Sequence, residues 1–243
     1  MTVFVIGLMV GLALFQAVVV VTSPVKRQLS LDEVYNESIN RSMVPDRGVV
    51  NDLTPIIYSN QDLIKQGTED NWTVLMVTWT KYNSSYPAGK NVTTWWGETW
   101  VTVAPELQDF FRQNVDENSN LSVRAAQLLG LPPTCSNLFF VEMYVHPTDL
   151  FRPSLDNEIN DTCASLTIPQ NINATYKSWF DGNTISSYYP KKFPWTRLGY
   201  TYDWGNPMTS EGLSEFVLKK NATVLVNSVS STAEYLNVWG TAS

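Results

Sequence analysis

An arginine and a glutamate about 18 residues apart, Arg197 and Glu215, are the two side chains best suited to chemistry in this chain of 243 residues. A guanidinium gives a planar, bidentate grip on a phosphate or carboxylate. A glutamate set in an apolar strand such as Gly212-Leu-Ser-Glu-Phe can stabilise a developing oxocarbenium ion or steer water toward it. Around them stand Trp195, Tyr200, Tyr202, Asp203 and Trp204, rings that could stack on a flat ligand beside a second carboxylate. The equally open structural reading makes Arg197 and Glu215 a salt bridge or solvent-facing charges. No phosphate loop, metal-ligand set or nucleophile triad competes. The single histidine, His146, precedes Pro147, and Ser-His or Cys-His catalysis would have to use that one residue.

Nine tryptophans and eleven tyrosines offer stacking surface for sugar or nucleotide rings. Trp72, Trp79, Trp95, Trp96 and Trp100 fall in strand-like runs, where an aromatic ring belongs to the core. Trp195 and Trp204 flank loops, and a surface role is open to them. Asp149, Asp156, Glu158 and Asp161 supply oxygens of the kind calcium accepts, yet the glycine and terminal glutamate of an EF-hand loop have no counterparts. A solvated loop with Arg152 pairing locally accounts for the cluster equally, and no metal or cofactor is expected.

The net charge of -7 and a pI near 4.7 argue against a nucleic-acid partner, since phosphate backbones are bound by clustered Lys and Arg. Only Lys191-Lys192 and Lys219-Lys220 pair up. Residues 3–21 are apolar apart from Gln16, about the length that crosses a bilayer. Residues 1–24 are thus expected to be a signal sequence or an anchor, the only route to a membrane. Sequons for N-glycosylation stand at Asn36, Asn40, Asn71, Asn83, Asn91, Asn120, Asn160, Asn173 and Asn221, against about four by chance. The excess points to a secreted or outward-facing anchored glycoprotein. Cys135 and Cys163 fit one disulfide closing a loop of about 28 residues, worth roughly 3 kcal/mol.

The elements that must position these groups read as follows. Residues 25–70 are polar and broken by Pro45, Gly48, Pro55 and Gly67, an extension of the domain spanning 71–243. From Asn71, strand-favouring types on both faces predict a central strand, and residues 93–103 a second. Pro105 opens a helix through Phe110-Phe111, and Asn120 or Ser122 caps another that Gly130 ends. Residues 138–145 form a buried strand, 176–180 a helical turn, and 182–192 a loop. Strands close the chain at 199–204, 214–218 and 222–229. The pattern predicts one α+β domain: a mixed, mainly antiparallel sheet with two or three helices.

Several fragments carry a resemblance. Trp100-Val-Thr-Val-Ala-Pro, Leu129-Gly-Leu-Pro-Pro, Asp149-Leu-Phe-Arg-Pro, Pro194-Trp-Thr-Arg-Leu-Gly-Tyr-Thr-Tyr-Asp-Trp-Gly and Gly212-Leu-Ser-Glu-Phe-Val resemble uncharacterised bacterial proteins, many of them cyanobacterial. That likeness implies no activity. Leu131-Pro-Pro with Val141-Glu-Met-Tyr-Val-His-Pro, and Trp204-Gly-Asn-Pro with Gly212-Leu-Ser-Glu-Phe, resemble NAD glycohydrolases of the tuberculosis-necrotizing-toxin type. There Glu215 takes the place of a catalytic Gln, and Arg197-Leu-Gly follows Leu-Pro-Pro where the family's Arg-Phe-Gly precedes it. The resemblance implies a hydrolase for the N-glycosidic bond of NAD. Arg197 would hold the pyrophosphate, Trp195, Tyr200 or Trp204 would stack a base, and Glu215 would serve the ribosyl cation. The competing readings are a non-catalytic glycan- or partner-binding surface protein, and a glycoside hydrolase whose second carboxylate is Asp203 or Glu211.

Overall fold

The computed structural model describes residues 27–239 other than 46, 190 and 191. The apolar segment 3–21, with the signal or anchor expected there, and Lys191 lie outside the described residues. Among the described residues no helix is long and apolar enough to cross a membrane.

In chain order the elements are α1 (Leu31–Met43), β1 (Val49–Val50), β2 (Lys65–Thr68), β3 (Asn71–Thr80), β4 (Asn91–Thr93), β5 (Thr99–Val103), α2 (Ala104–Asn114), α3 (Leu121–Leu128), β6 (Phe139–Val145), β7 (Leu150–Phe151), β8 (Ala164–Ser165), α4 (Ala174–Tyr188), β9 (Tyr200–Tyr202), β10 (Glu211–Leu218), β11 (Thr223–Ser231) and α5 (Thr232–Leu236). The main sheet runs β4-β11-β6-β3-β5-β10-β7, with β2 on β3 and β9 on β10. Every pairing is antiparallel, including the separate β1–β8 ribbon. The fold is α+β.

β3 is central because it is apolar on both faces. Val74 and Met76 join Val101, Val103, Val141, Met143, Phe216 and Val226 on one side. Leu75, Val77 and Trp79 meet Leu107, Phe111, Leu128, Phe140 and Tyr235 on the other, under α2, α3 and α5. The strand alternation that sends neighbours to opposite faces accounts for the split. α2 carries Pro105 in its first turn, where a missing N–H costs nothing. The Asn120 side chain caps α3 by accepting from the Val123 amide, and Gly130, at φ 65°, ends it in the left-handed region.

Residues 25–70, expected as a polar extension, supply α1, β1 and β2 to the same domain. α1 opens on a capping box in which Ser30 and Glu33 satisfy each other's backbone amides. It packs Tyr35 and Ile39 against Tyr188 and Trp204. α4 runs for 15 residues where a helical turn and a loop were expected. Asn173 caps it, and Tyr176, Trp179, Phe180 and Tyr188 repeat at helical spacing on its inner side. Gly182 and the polar residues after it masked that period.

Candidate functional site: an aromatic cavity over Glu215

The sheet register lays a row of side chains across one face: Glu142 opposite Val77, Val77 opposite Thr102, and Thr102 opposite Glu215. The α2–α3–α5 cluster covers Val77 from one side. Beyond it the row opens into a cavity of about 620 Å3 whose floor includes Val77, Thr102 and Glu215, a size typical of small-molecule sites. Trp195, Tyr200 and Tyr202 also line it, with Asn183, Ser186 and Ser187 from α4.

The mouth is aromatic. After β4 the chain leaves the sheet, and Thr94 anchors the departure by donating to the Lys219 carbonyl at 2.9 Å. Trp95 and Trp96 thereby stand on a turn closed by Gly97 at φ 144°. Trp95 is 71% exposed. The two rings meet edge to face at 5.8 Å, and Trp96 meets Tyr86 at 5.3 Å. Trp100 on β5 stacks on Trp179 at 6.4 Å and meets Trp195 edge-on at 5.9 Å. The Trp195 indole N–H is buried with no hydrogen-bond partner among the described residues.

Glu215 is the carboxyl on the floor. Burial alone pushes its pKa up to about 8; no charge or hydrogen bond pulls it back. Among the described residues no Lys, Arg or His lines the cavity. A second cavity, lined by Asp52, Asp62, Glu106 and Asp109, holds Glu106, which burial raises to about 7 against a hydrogen bond from Thr54. Among the described residues no cluster of His, Cys, Asp or Glu is placed to hold a metal.

These shifts fix the sign of a pH effect. A carboxyl raised from 4.5 to about 8 keeps a proton in the folded state that the unfolded chain releases. Stability therefore falls as pH rises through that window, by at most ~1.4 kcal/mol per unit. Because Glu215 opens onto the cavity, solvent screening reduces the total to about 2 kcal/mol. The melting temperature is expected to drop between pH 5 and pH 9. Glu215→Gln should flatten the fall across the window up to about pH 8, removing it above pH 7 and leaving the Glu106 slope below. Identical wild-type and Glu215→Gln melting profiles across that range would refute the buried-carboxyl description.

The remaining sequence-derived site residues are used elsewhere. Arg197, at φ 61°, donates through Nη2 to the carbonyls of Ser42 and Met43 at 3.2 and 3.0 Å and lies 5.2 Å from the Tyr188 ring centre. It satisfies the last carbonyls of α1, as cations at helix C-termini do, and does not line the cavity. Asp203 is fully buried and paired with Arg124. Trp204 is buried too, its indole donating to the Leu131 carbonyl at 2.9 Å. Glu211 pairs with Arg47 at 2.7 Å. Trp195, Tyr200, Tyr202 and Glu215 do share the cavity; Arg197, Asp203 and Trp204 do not join them.

The expected disulfide is corrected: Cys135 and Cys163 are free thiols. Cys135 packs beside the helical cluster after α3, where burial pushes its thiol pKa up. Cys163 is exposed before β8, its amide held by the Asp161 carboxylate. In the loop considered for calcium, the carbonyls of Glu158 and Asp161 instead accept from Arg152. His146 caps the turn that follows it, accepting from the Thr148 amide through Nδ1. Eight of the nine sequon asparagines are exposed and Asn83 is half-buried.

The sequence reading missed the mouth. Trp95, Trp96 and Trp100 were expected inside strands, as core. The usable signal was Trp95-Trp-Gly-Glu, in which a glycine directly after two bulky rings marks a turn. Compared with family models, with curated proteins and with solved structures, the chain shows no match, so its site is read from geometry alone.

Proposed function

We propose that this chain is a secreted or surface-held N-glycoprotein that binds a sugar ring in the cavity over Glu215 without transforming it. The observation that carries this reading is the cavity lining: Trp79, Trp95, Trp96, Trp100 and Trp195 with threonine, serine and asparagine side chains, and no basic group among the described residues. The C–H faces of a pyranose stack on indoles, while its hydroxyls need neutral donors and acceptors such as these. A dinucleotide fits less well, because its pyrophosphate would enter a cavity that offers no cation among the described residues, and Arg197 is committed to α1. The outward placement of the sequons supports the compartment.

Glycan-array binding by the purified chain, followed by tryptophan-fluorescence titration, tests the reading. Trp100→Ala is expected to weaken the best ligand by about 10- to 30-fold, the effect of removing an aromatic anchor. Trp95→Ala, at an exposed position, should weaken it without loss of thermal stability. No array signal, or unchanged affinity in both variants, rules the reading out. Native material whose gel mobility ignores an amide-cleaving glycosidase removes the glycoprotein part. One observation favours a second reading, glycoside hydrolysis: Glu98 lines the same cavity as Glu215, and two carboxyls are what that chemistry requires. Reducing-end release that disappears in both Glu98→Gln and Glu215→Gln would replace binding by catalysis.

A further inference from the structure

Glu215 occupies a setting that lacks its complement. A carboxyl enclosed by indole and phenol rings is costly to ionise, and natural structures meet that cost with an arginine, a lysine or a set of N–H donors. Among the described residues nothing on the surrounding elements does so. Val77 comes from β3, Thr102 and Trp100 from β5, Tyr200 and Tyr202 from β9, and Trp195 from the segment before it. The other titratable groups lining the cavity are Tyr82, Tyr86 and Glu98, none of which carries positive charge. Lys81 lies over the Tyr82 ring, 5.2 Å from its centre, and does not line the cavity.

Ring faces are the negative side of an aromatic quadrupole, so indoles around a carboxylate reinforce its preference for a cation. Both charged side chains of the lining, Glu98 and Glu215, have the same sign. Resting on the sugar-binding reading above, we infer that the ligand bears a protonated amine, as an amino sugar does, with Glu215 as its counter-ion and the Trp100 and Trp195 rings about it. Such a group supplies the charge the protein withholds. With the cavity empty, Glu215 keeps its proton at pH 6.5, since burial raises it to about 8. With an ammonium beside it the carboxyl ionises, so binding and proton release are linked.

The test compares the β-1,4-linked disaccharide of glucosamine with cellobiose, which carries hydroxyls where the first carries amines. Isothermal titration of the full chain at pH 6.5, in two buffers of different ionisation enthalpy, reads affinity and proton release together. The amino disaccharide is expected to bind at least tenfold more tightly and to release close to one proton per site. In Glu215→Gln both the preference and the release should vanish; Glu98→Gln, at the exposed mouth, should keep the proton release. Equal affinity for the two disaccharides, or a preference that survives Glu215→Gln, overturns the inference and leaves the sugar site standing. Silence of both disaccharides while another neutral glycan binds overturns it as well. Silence of the whole glycan array removes the sugar site with it.

Discussion

Asp203→Asn is expected to cost the fold about 3–5 kcal/mol, the typical penalty for leaving one member of a buried ion pair unmatched. The carboxylate is fully buried and takes two parallel bonds from Arg124, at 2.8 and 2.6 Å, plus the Gly205 amide at 3.0 Å. Arg124 in turn lies 4.9 Å from the Phe110 ring centre, so one contact ties α3, α2 and the turn after β9. An asparagine would set an NH2 against the guanidinium. For a domain of this size the melting temperature should fall by roughly 6–20 °C. The double variant Asp203→Leu/Arg124→Leu should be no less stable than Asp203→Asn, because it buries no orphaned charge. Denaturant titration of the three proteins decides it, and a loss below about 1 kcal/mol for the single variant would show that the pair does not hold the fold.

A loss of about 3 kcal/mol is expected for Arg152→Met, by a different route. Arg152 is fully buried, and among the described residues its hydrogen bonds go to backbone carbonyls. Its Nε and Nη2 donate to the carbonyls of Glu158 and Asp161 at 2.9 and 2.7 Å, and its guanidinium lies 5.4 Å from the Phe216 ring centre. Methionine fills comparable apolar volume but leaves those carbonyls without donors, each worth about 1–3 kcal/mol when buried. Gly199 must be glycine for the same packing: its φ is 73°, and a Cβ there would come within 2.7 Å of the Arg152 Cγ and Cδ atoms. Hydrogen exchange should rise first in residues 153–163, whose carbonyls the arginine gathers. Global unfolding with no local change in that loop would refute the mechanism.

How much was legible in the sequence follows from how each signal is made. β3, β6, α2 and α3 announce themselves through continuous strand-favouring runs, a proline at a helix start and an asparagine cap, local features that tertiary context reinforced. α1 was hidden by composition, although Ser30 and Glu33 spell its cap. α4 was hidden by Gly182 and Asn183 within its span. The tryptophans divided: Trp79 is in the core and Trp72 packs against it as expected, but Trp95, Trp96 and Trp100 are exposed while Trp195 and Trp204 are buried. Burial of a ring depends on which segments cross over it, and the crossings by α1 and α4 were not visible. The site suffered likewise. Left-handed backbone at Arg197 (φ 61°) and Gly199 (φ 73°) breaks any strand alternation between residues 195 and 200: Trp195, Tyr200 and Tyr202 reach the cavity while Arg197 and Asp203 turn toward other partners.

The fastening of α1 sets a path for mechanical load. Its anchors are the Arg197 bonds to Ser42 and Met43, the Tyr188 hydroxyl on the Ser42 carbonyl and the Tyr35 hydroxyl on that of Lys192. These hydrogen bonds run to α4 and the segment after it, while the apolar side of α1 also packs on Trp204 and on Tyr202 of β9. A pull on the chain ahead of Leu31 therefore loads the layer that supplies Ser187 and Trp195 to the cavity wall, and reaches the strands beneath through the packing of α1 on Tyr202 and Trp204.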